Sequence, residues 1–419
     1  MKINLNRQTL EKHGATLLYI ATLVSVGLSF FGSVLNSKML SKELFGDLKY
    51  AQNYLMMVSY LINFGLYNSA GRLIAATDNK ERISIFKGYM LMCSLAGLII
   101  ILITTLVLGT FWPQMISPSL FVLMLSMFPL FIVHPLMFYL ESVFQSEKRM
   151  IAFSMYRILP PLLYILSLYL FRPLIEGSLF YAMLLYYVTY LAVFAYYVIA
   201  DKKIFKRKSP ELTELIEQNK SYGVHLYYGS LWNVGATYLL PILIGLFNIN
   251  NEEVGPFTLA SSFIMPFSLL PAVLGTAYFK EFMTIDTIPA AAFKKVLLAS
   301  FGLIAVTWLT IDYVIDIFLG EKYASIGFLV KFGAFAALLQ GLGDFVNKFL
   351  SAKGRSPYIK KVAVAVGTIQ LIASLFLIKW LSSTGAMLAK TIGSAAYFGC
   401  LYYYYRKNFY NKTIKEKTA

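Results

Sequence analysis

The stretch 43-ELFGDLKYAQNYLMM-57 decides the class of this protein. It opens a run that stays largely apolar to residue 71, longer than the roughly 20 residues needed to cross a hydrocarbon core about 30 Å thick. Yet Lys49 sits one turn inside that run, with Gln52 and Asn53 behind it. Much later, 252-EEVGPFTLASSFIMP-266 echoes the pattern without the lysine. A membrane helix thus carries a cation that its internal echo lacks.

Around this stretch the whole chain is apolar. Of its 419 residues, 58% are hydrophobic and 14% charged, against about 45–50% and about 25% in soluble domains, and mean hydropathy is +0.64. We read twelve spans, at roughly 15–37, 44–71, 88–111, 115–140, 151–171, 177–200, 223–248, 254–279, 295–318, 323–350, 359–380 and 384–405. The first 14 residues are polar and lead into a full span, so an uncleaved anchor is expected. Cys93 and Cys400 fall inside spans, which implies no disulfide framework.

The formal charge of +16 does not signal nucleic acid. The N-terminus, alternate loops and the C-tail hold 26 Lys and Arg, and the opposite loops hold only Lys38, Lys42, Arg172, Lys322 and Lys379. Cations concentrate in cytoplasmic loops, so both termini are expected in the cytoplasm. The tyrosines of 402-YYYYRK-407 suit an interfacial aromatic belt.

The halves echo one another. A shift of 209 lays 43-ELFGDLKYAQNYLM-56 on 252-EEVGPFTLASSFIM-265, and a shift of 206 lays 145-QSEKR-149 on 351-SAKGR-355. We therefore expect two six-helix lobes, 1–200 and 223–405, related by a pseudo-two-fold axis along the membrane normal. A basic, amphipathic cytoplasmic linker (201–222) joins them, and a basic tail (406–419) follows. Transporters built from such repeats bind substrate between them and rock one against the other.

Ionisable groups inside spans are costly and face partners or wet cavities. At 100° per residue, Lys49, Gln52, Asn53, Met56, Tyr60, Asn63, Tyr67 and Gly71 fall on an arc about 100° wide, opposite Ala51, Leu55, Val58, Ile62 and Leu66. Such a stripe lines a cavity or glues helices together. Arg157 lies deep in span 5, ahead of Pro160 and Pro161, which are expected to break or kink the helix. Lys331 lies deep in span 10. Lys390, like Lys49, is shallow enough to snorkel, and Arg72 and Lys348 sit near span ends, where snorkelling is the ordinary account. Asp344 and Lys348 are spaced as a helix pair. Asp312 and Asp316 share a face in span 9, as ion carriers or as partners of Lys322, and Glu141 closes span 4 as a further ion-coupling candidate. His134, beside Pro135, reads as a packing residue.

Motifs for chemistry are missing from the sequence. It has no P-loop, no Gly-rich dinucleotide fingerprint and no metal-ligand spacing, and its histidines are His13, His134 and His225. No cofactor or metal is expected. ATP hydrolysis within the chain is excluded, and the short external loops leave little room for a glycan-modifying enzyme.

The segments 41-SKELFGDLKYAQNY-54 into 65-GLYNSAGRLIA-75, and 319-LGEKYASIGFLVKFGAFAALLQGLGD-344 into 350-LSAKGRS-356, resemble the polysaccharide-transporter branch of the multidrug/oligosaccharidyl-lipid/polysaccharide exporter superfamily. The group it is most similar to holds the flippases of O-antigen and other lipid-linked oligosaccharides. The resemblance implies an all-α, V-shaped, alternating-access transporter whose spans 1, 2, 7 and 8 line a central cavity. It also implies a bacterial inner membrane protein, not an enzyme, that carries an undecaprenyl-pyrophosphate-linked oligosaccharide outward among membrane lipids. A polysaccharide polymerase and a chain-length regulator would be its partners. Charge logic then makes Lys49, Arg157, Lys331 and Lys390 candidate pyrophosphate ligands. Gln52, Asn53 and Asn63 join them on the stripe, and Tyr60 and Tyr67 would stack on sugars. Two alternatives stand beside this reading: an ion-coupled drug or metabolite antiporter of the same fold, and a membrane enzyme acting on a lipid-linked glycan.

Overall fold

The structure, a computed structural model, describes residues 7–206 and 209–411. The linker cations Arg207 and Lys208, and residues 412–419 of the expected basic tail, lie outside the described residues. Among those described, every regular element is helical. The chain forms two compact units, Met1–Leu231 and Trp232–Ala419.

In the first unit, α1 (Arg7–Met39) packs along α7 (Met150–Leu170). The expected second span is two helices, α2 (Lys42–Ile62) and α3 (Leu66–Ala75). Ser41 starts α2 by accepting from Leu44 N at 3.2 Å. Asn79 starts α4 (Lys80–Phe111) by accepting from the amides of Glu81 and Arg82, with Glu81 in the first turn; both devices satisfy amides that have no intrahelical partner. After α5 (Pro118–Ser126) and a short 3₁₀ turn come α6 (Val133–Ser146), then α8 (Arg172–Ile175) and α9 (Leu179–Ala200) beyond α7. α7 runs through Pro160 and Pro161 without leaving helical conformation, so the expected break is not there. Neighbouring helices tolerate the lost amides in membrane helices. The break lies instead at 63–65, where Phe64 and Gly65 take φ of 44° and 78°.

The linker packs on this unit. Ile204 N bonds Ser84 O at 3.0 Å. Lys87 bridges Glu147 at 2.6 Å and Asp201 at 3.3 Å, and Arg149 reaches Asp201 at 2.7 Å. α10 (Pro210–Gln218) then leads into a π-helical turn at 219–223 and α11 (Val224–Phe247).

The second unit contains α12 (Val254–Ala277), α13 (Phe279–Thr284), α14 (Ala290–Leu319), α15 (Ile326–Ala352) and α16 (Ser356–Tyr405). α12 and α16 pack on α15. A straight helix of 50 residues would be roughly 75 Å long, far beyond a bilayer. It is folded at Ser382 (φ 50°, ψ −128°). A Cβ on Gly385 would meet Leu377 O at 2.0 Å, one on Gly393 would meet Gln370, and the rings of Tyr358 and Tyr404 stack at 4.8 Å. These pairings are those of an antiparallel hairpin, so α16 supplies both of the last two expected spans.

Among the described residues, nine helices are long and apolar enough to cross a membrane. The sequence reading counted twelve. α16 counts once for two, α2 is diluted by its polar stripe, and of α11 only Thr237–Phe247 is counted, since side chains at 229–230 and 232–236 lie outside the described residues. This is an all-α, multi-pass membrane protein.

Candidate functional site

The break in the second span organises the site. Gly65 and Gly223 touch backbone to backbone: a Cβ on Gly65 would lie 2.2 Å from Gly223 O, and one on Gly223 would lie 2.6 Å from Gly65 O. Polar groups close the joint. Tyr227 Oη donates to Leu61 O at 2.7 Å, Ser69 Oγ donates to Asn219 Oδ1 at 3.0 Å, and Asn219 Nδ2 donates to Phe64 O at 3.3 Å. The Leu61 and Phe64 carbonyls at the interruption are thus met by side chains more than 150 positions downstream.

Beside this joint lies a cavity of about 410 Å³. α3 gives it Tyr67, Asn68, Gly71 and Arg72, and Asn63 sits at the break itself. α6 gives Phe138, Glu141, Ser142, Gln145 and Ser146. Tyr222 of the π-helical turn completes it, its ring 4.5 Å beneath the Arg72 guanidinium. Asn63 and Tyr67 are buried, at 9% and 6% exposure, whereas Asn68, Arg72 and Gln145 are exposed at the mouth. The cavity lies toward the end of the unit that carries the basic loops, since α3 runs into the 77–87 connection.

The structure sorts the expected site residues into separate groups. Asn63, Tyr67 and Glu141 meet at the cavity. Arg157 stands behind Glu141, with Nη2 on Glu141 Oε1 at 3.0 Å and Nη1 on Thr22 Oγ1 at 2.9 Å. Its charge is therefore matched by a neighbour. Tyr60 is packed between Phe138 and Tyr227 and does not line the cavity.

Lys49, Gln52 and Asn53 form a second group near the opposite end of the same stripe, roughly 20 Å from Asn63 at 1.5 Å rise per residue. Lys49 Nζ donates to Ser33 Oγ of α1 at 2.8 Å and to Gln52 Oε1 at 3.3 Å, beside the Phe45 ring. Asn53 Nδ2 donates to Lys49 O at 2.7 Å. Among the described residues neither Lys49 nor Arg72 has an ion-pair partner.

In the second unit Lys331 pairs with Asp312. The sequence offered Lys322 as the partner of the aspartates; Lys331 on α15 pairs with Asp312, with Trp308 Nε1 donating to Lys331 O at 3.0 Å alongside. Asp316 is exposed. Asp344 makes no ion pair with Lys348; its Oδ1 accepts from Tyr397 Oη at 2.9 Å, because α16 lays that phenol against it. Lys390 is half-buried and makes no ion pair among the described residues. His134 is buried against Tyr187, with Nε2 3.3 Å from its hydroxyl, as a packing residue would be.

Arg72, Asn68, Gln145 and Tyr222 were missed as site residues. Asn68 lies one position past Tyr67, and Arg72 five, in a segment already singled out, 65-GLYNSAGRLIA-75. Both fall outside the arc of the stripe when its phase is carried through as one helix, so helical periodicity gave no signal for them. Among the described residues no cluster of His, Cys, Asp or Glu could hold a metal.

This fold is shared with solved transporters at low identity. The lipid II flippase MurJ, in an inward closed conformation, matches with a TM-score of 0.73 at 13% identity, over 93% of this chain and 87% of its own. An inward-facing multidrug resistance MATE family transporter of the MOP superfamily gives 0.68 at 14% identity, over 94% and 96%. The eukaryotic MATE transporter AtDTX14 gives 0.56 at 14%, over 94% of each chain. At such identities the likeness is one of fold. No curated protein matches the chain. A family model described as "Polysaccharide biosynthesis protein" matches residues 12–279, well over half the sequence. The chain belongs to that family, and its fold is that of the MATE and MurJ transporters of the MOP superfamily.

Proposed function

We propose that this protein is a flippase for an undecaprenyl-pyrophosphate-linked oligosaccharide repeat unit, of O-antigen or a similar surface polysaccharide. It moves the unit from the cytoplasmic to the external leaflet of a bacterial inner membrane by alternating access between its two lobes. Both termini lie in the cytoplasm. It makes and breaks no covalent bond, and it hands its cargo to a polymerase and chain-length regulator in the same membrane.

One observation carries this reading. Lys49 inside α2 and Arg72 on α3, near the two ends of the broken second span, have no carboxylate partner among the described residues. A cation walled by low-dielectric material attracts an anion far more strongly than one in bulk water. Arg72 would meet a diphosphate arriving from the cytoplasm, and Lys49 would meet it near the exit. Arg157 and Lys331, each held by a carboxylate, are poorer candidates, and Lys390 lacks a counterpart along the stripe.

The experiment is replacement of the chromosomal gene by K49Q and R72Q variants, with surface polysaccharide measured by gel and membrane protein by blot. Polymer should fall at least tenfold at unchanged protein level. Normal polymer from both variants refutes the assignment. An antiporter reading draws on Glu141 at the cavity; deletion would then lower resistance to cationic compounds and leave the glycan unaltered.

A further inference from the structure

The cavity between α3, α6 and the π-helical turn has chemistry that a diphosphate does not need. We infer that it is a subsite for one pyranose ring of the cargo, an uncharged or N-acetylated hexose, recognised by amide side chains. The inference rests on the flippase reading and adds to it which part of the substrate this pocket takes.

Several observations converge on a sugar. At about 410 Å³ the volume falls in the roughly 300–1,000 Å³ range of small-molecule sites, which suits a single ring with room for water. Beside the Arg72 guanidinium at the rim, the lining offers the neutral amides of Asn63, Asn68 and Gln145. Asn68 and Gln145 are exposed at the mouth with no side-chain hydrogen bond among the described residues. Asn63 is buried to nine-tenths in the lining, and its Oδ1 has no donor. A buried acceptor without a donor is costly, and a hydroxyl group of a ligand removes that cost. A primary amide offers both donors and acceptors, the complement of a hydroxyl pair or an acetamido group. Ser142 and Ser146 donate to Tyr67 O and Ser142 O, each at 2.6 Å, and so keep acceptor lone pairs. Phe138 and Tyr222 add aromatic surface for the C–H face of a ring.

Other ligands fit less well. A diphosphate would find one free guanidinium, Arg72, at the rim. A cationic compound would find its only carboxylate, Glu141, already bound to Arg157. A polyprenyl tail would find amides. Gly71 sets the depth, since a Cβ there would come 2.6 Å from Ser142 Oγ and 2.8 Å from Ser146 Oγ.

The test uses full-length protein in nanodiscs and saturation-transfer NMR. Glucose, galactose and N-acetylglucosamine are presented singly at millimolar concentration, with inorganic pyrophosphate as competitor. At least one sugar should receive saturation, about fivefold weaker in each of N68A and Q145A as one net hydrogen bond is lost, and pyrophosphate should not displace it. Both substitutions are at exposed positions, and unchanged thermal unfolding certifies the fold. The inference is overturned if no sugar receives saturation, if N68A and Q145A bind as well as the parent, or if pyrophosphate displaces the sugar. The flippase reading fails separately: deletion of the gene would then leave the surface polysaccharide intact, whatever the NMR shows.

Discussion

The pair formed by Arg157 and Glu141 gives the sharpest test, because sequence reasoning made Arg157 a substrate ligand while the structure places a carboxylate 3.0 Å from it. At that distance and an effective dielectric of about 20, the gross attraction is roughly 5 kcal/mol. Desolvation removes most of this. Breaking a fully buried pair costs about 3–5 kcal/mol, and an exposed one contributes about 0–1 kcal/mol. The side chains are 27% and 32% exposed, so each single neutralisation, R157Q or E141Q, should cost about 2 kcal/mol. In the double variant no charge is stranded, and the loss should shrink to less than about 1 kcal/mol, a coupling of about 3 kcal/mol or more against the summed singles. In a thermal unfolding scan at fixed rate the singles should fall by roughly 4–8 °C and the double by about half of that or less. Export of polysaccharide should follow stability, with the double variant recovering it. If R157Q unfolds like the parent, or the double variant is as unstable as the singles summed, the pair is not a structural one. If the double variant is stable and exports nothing, Arg157 is a ligand after all.

Three further outcomes test the joint in the second span and the linker. G65A should lose at least about 2 kcal/mol, from the left-handed φ of 78° and a Cβ 2.2 Å from Gly223 O, whereas Gly27 and Gly302, with nothing within 4 Å, should tolerate alanine or gain about 0.5–1 kcal/mol. Equal melting of the three variants contradicts the backbone contact. Y227F keeps the ring but removes the donor to Leu61 O; about 1 kcal/mol should be lost, seen as a small downward shift in unfolding, and an unshifted variant means that hydrogen bond contributes nothing. D201N strips the acid shared by Lys87 and Arg149 and should loosen the start of the linker, so that limited trypsin cleaves at 202–206 several times faster. An unchanged cleavage rate would show that the ionic cluster does not hold that segment.

How far the sequence could be read follows from the range of each interaction. Spans were legible because lipid demands long apolar runs, and the hairpin in α16 because 381–383 parts two of them. The polar face of α2 was legible because helical phase is local, and it holds up to Ile62. Past that point it fails. Asn63-Phe64-Gly65 is compatible with a helix, and what makes it a break is Gly223, Asn219 and Tyr227, more than 150 residues away. The ion pairs failed for a similar reason. Glu141 with Arg157, and Asp312 with Lys331, lie 16 and 19 residues apart on adjacent helices, so recognising them needs the rotation of one helix against the next, which periodicity does not supply. His134 was legible as a packing residue because a lone histidine among apolar neighbours has few other uses.

The lysine absent from the internal echo now has a physical account. Under the shift of 209, Lys49 falls on Thr258, whose hydroxyl bonds back to Val254 O within its own helix and asks nothing of its neighbours. Lys49 cannot close on itself; it reaches Ser33 on another helix and leaves its charge unmatched. The same shift lays Asn63 on Ala272, Tyr67 on Thr276 and Arg72 on Glu281. So the second copy loses the amide, the aromatic ring and the guanidinium together, and at the last position reverses the charge. A duplicated scaffold kept for its packing would drift residue by residue. The loss is not total, since Gln52 and Asn53 fall on Ser261 and Ser262, Met56 on Met265 and Gly71 on Lys280, but Lys49, Asn63, Tyr67 and Arg72 have no like counterpart. Under the proposed function a cargo with a single diphosphate end needs one such lane, and a second would hold the anion against release. On that argument, lysine placed at Thr258 should slow export in the parent and fail to restore it in K49Q.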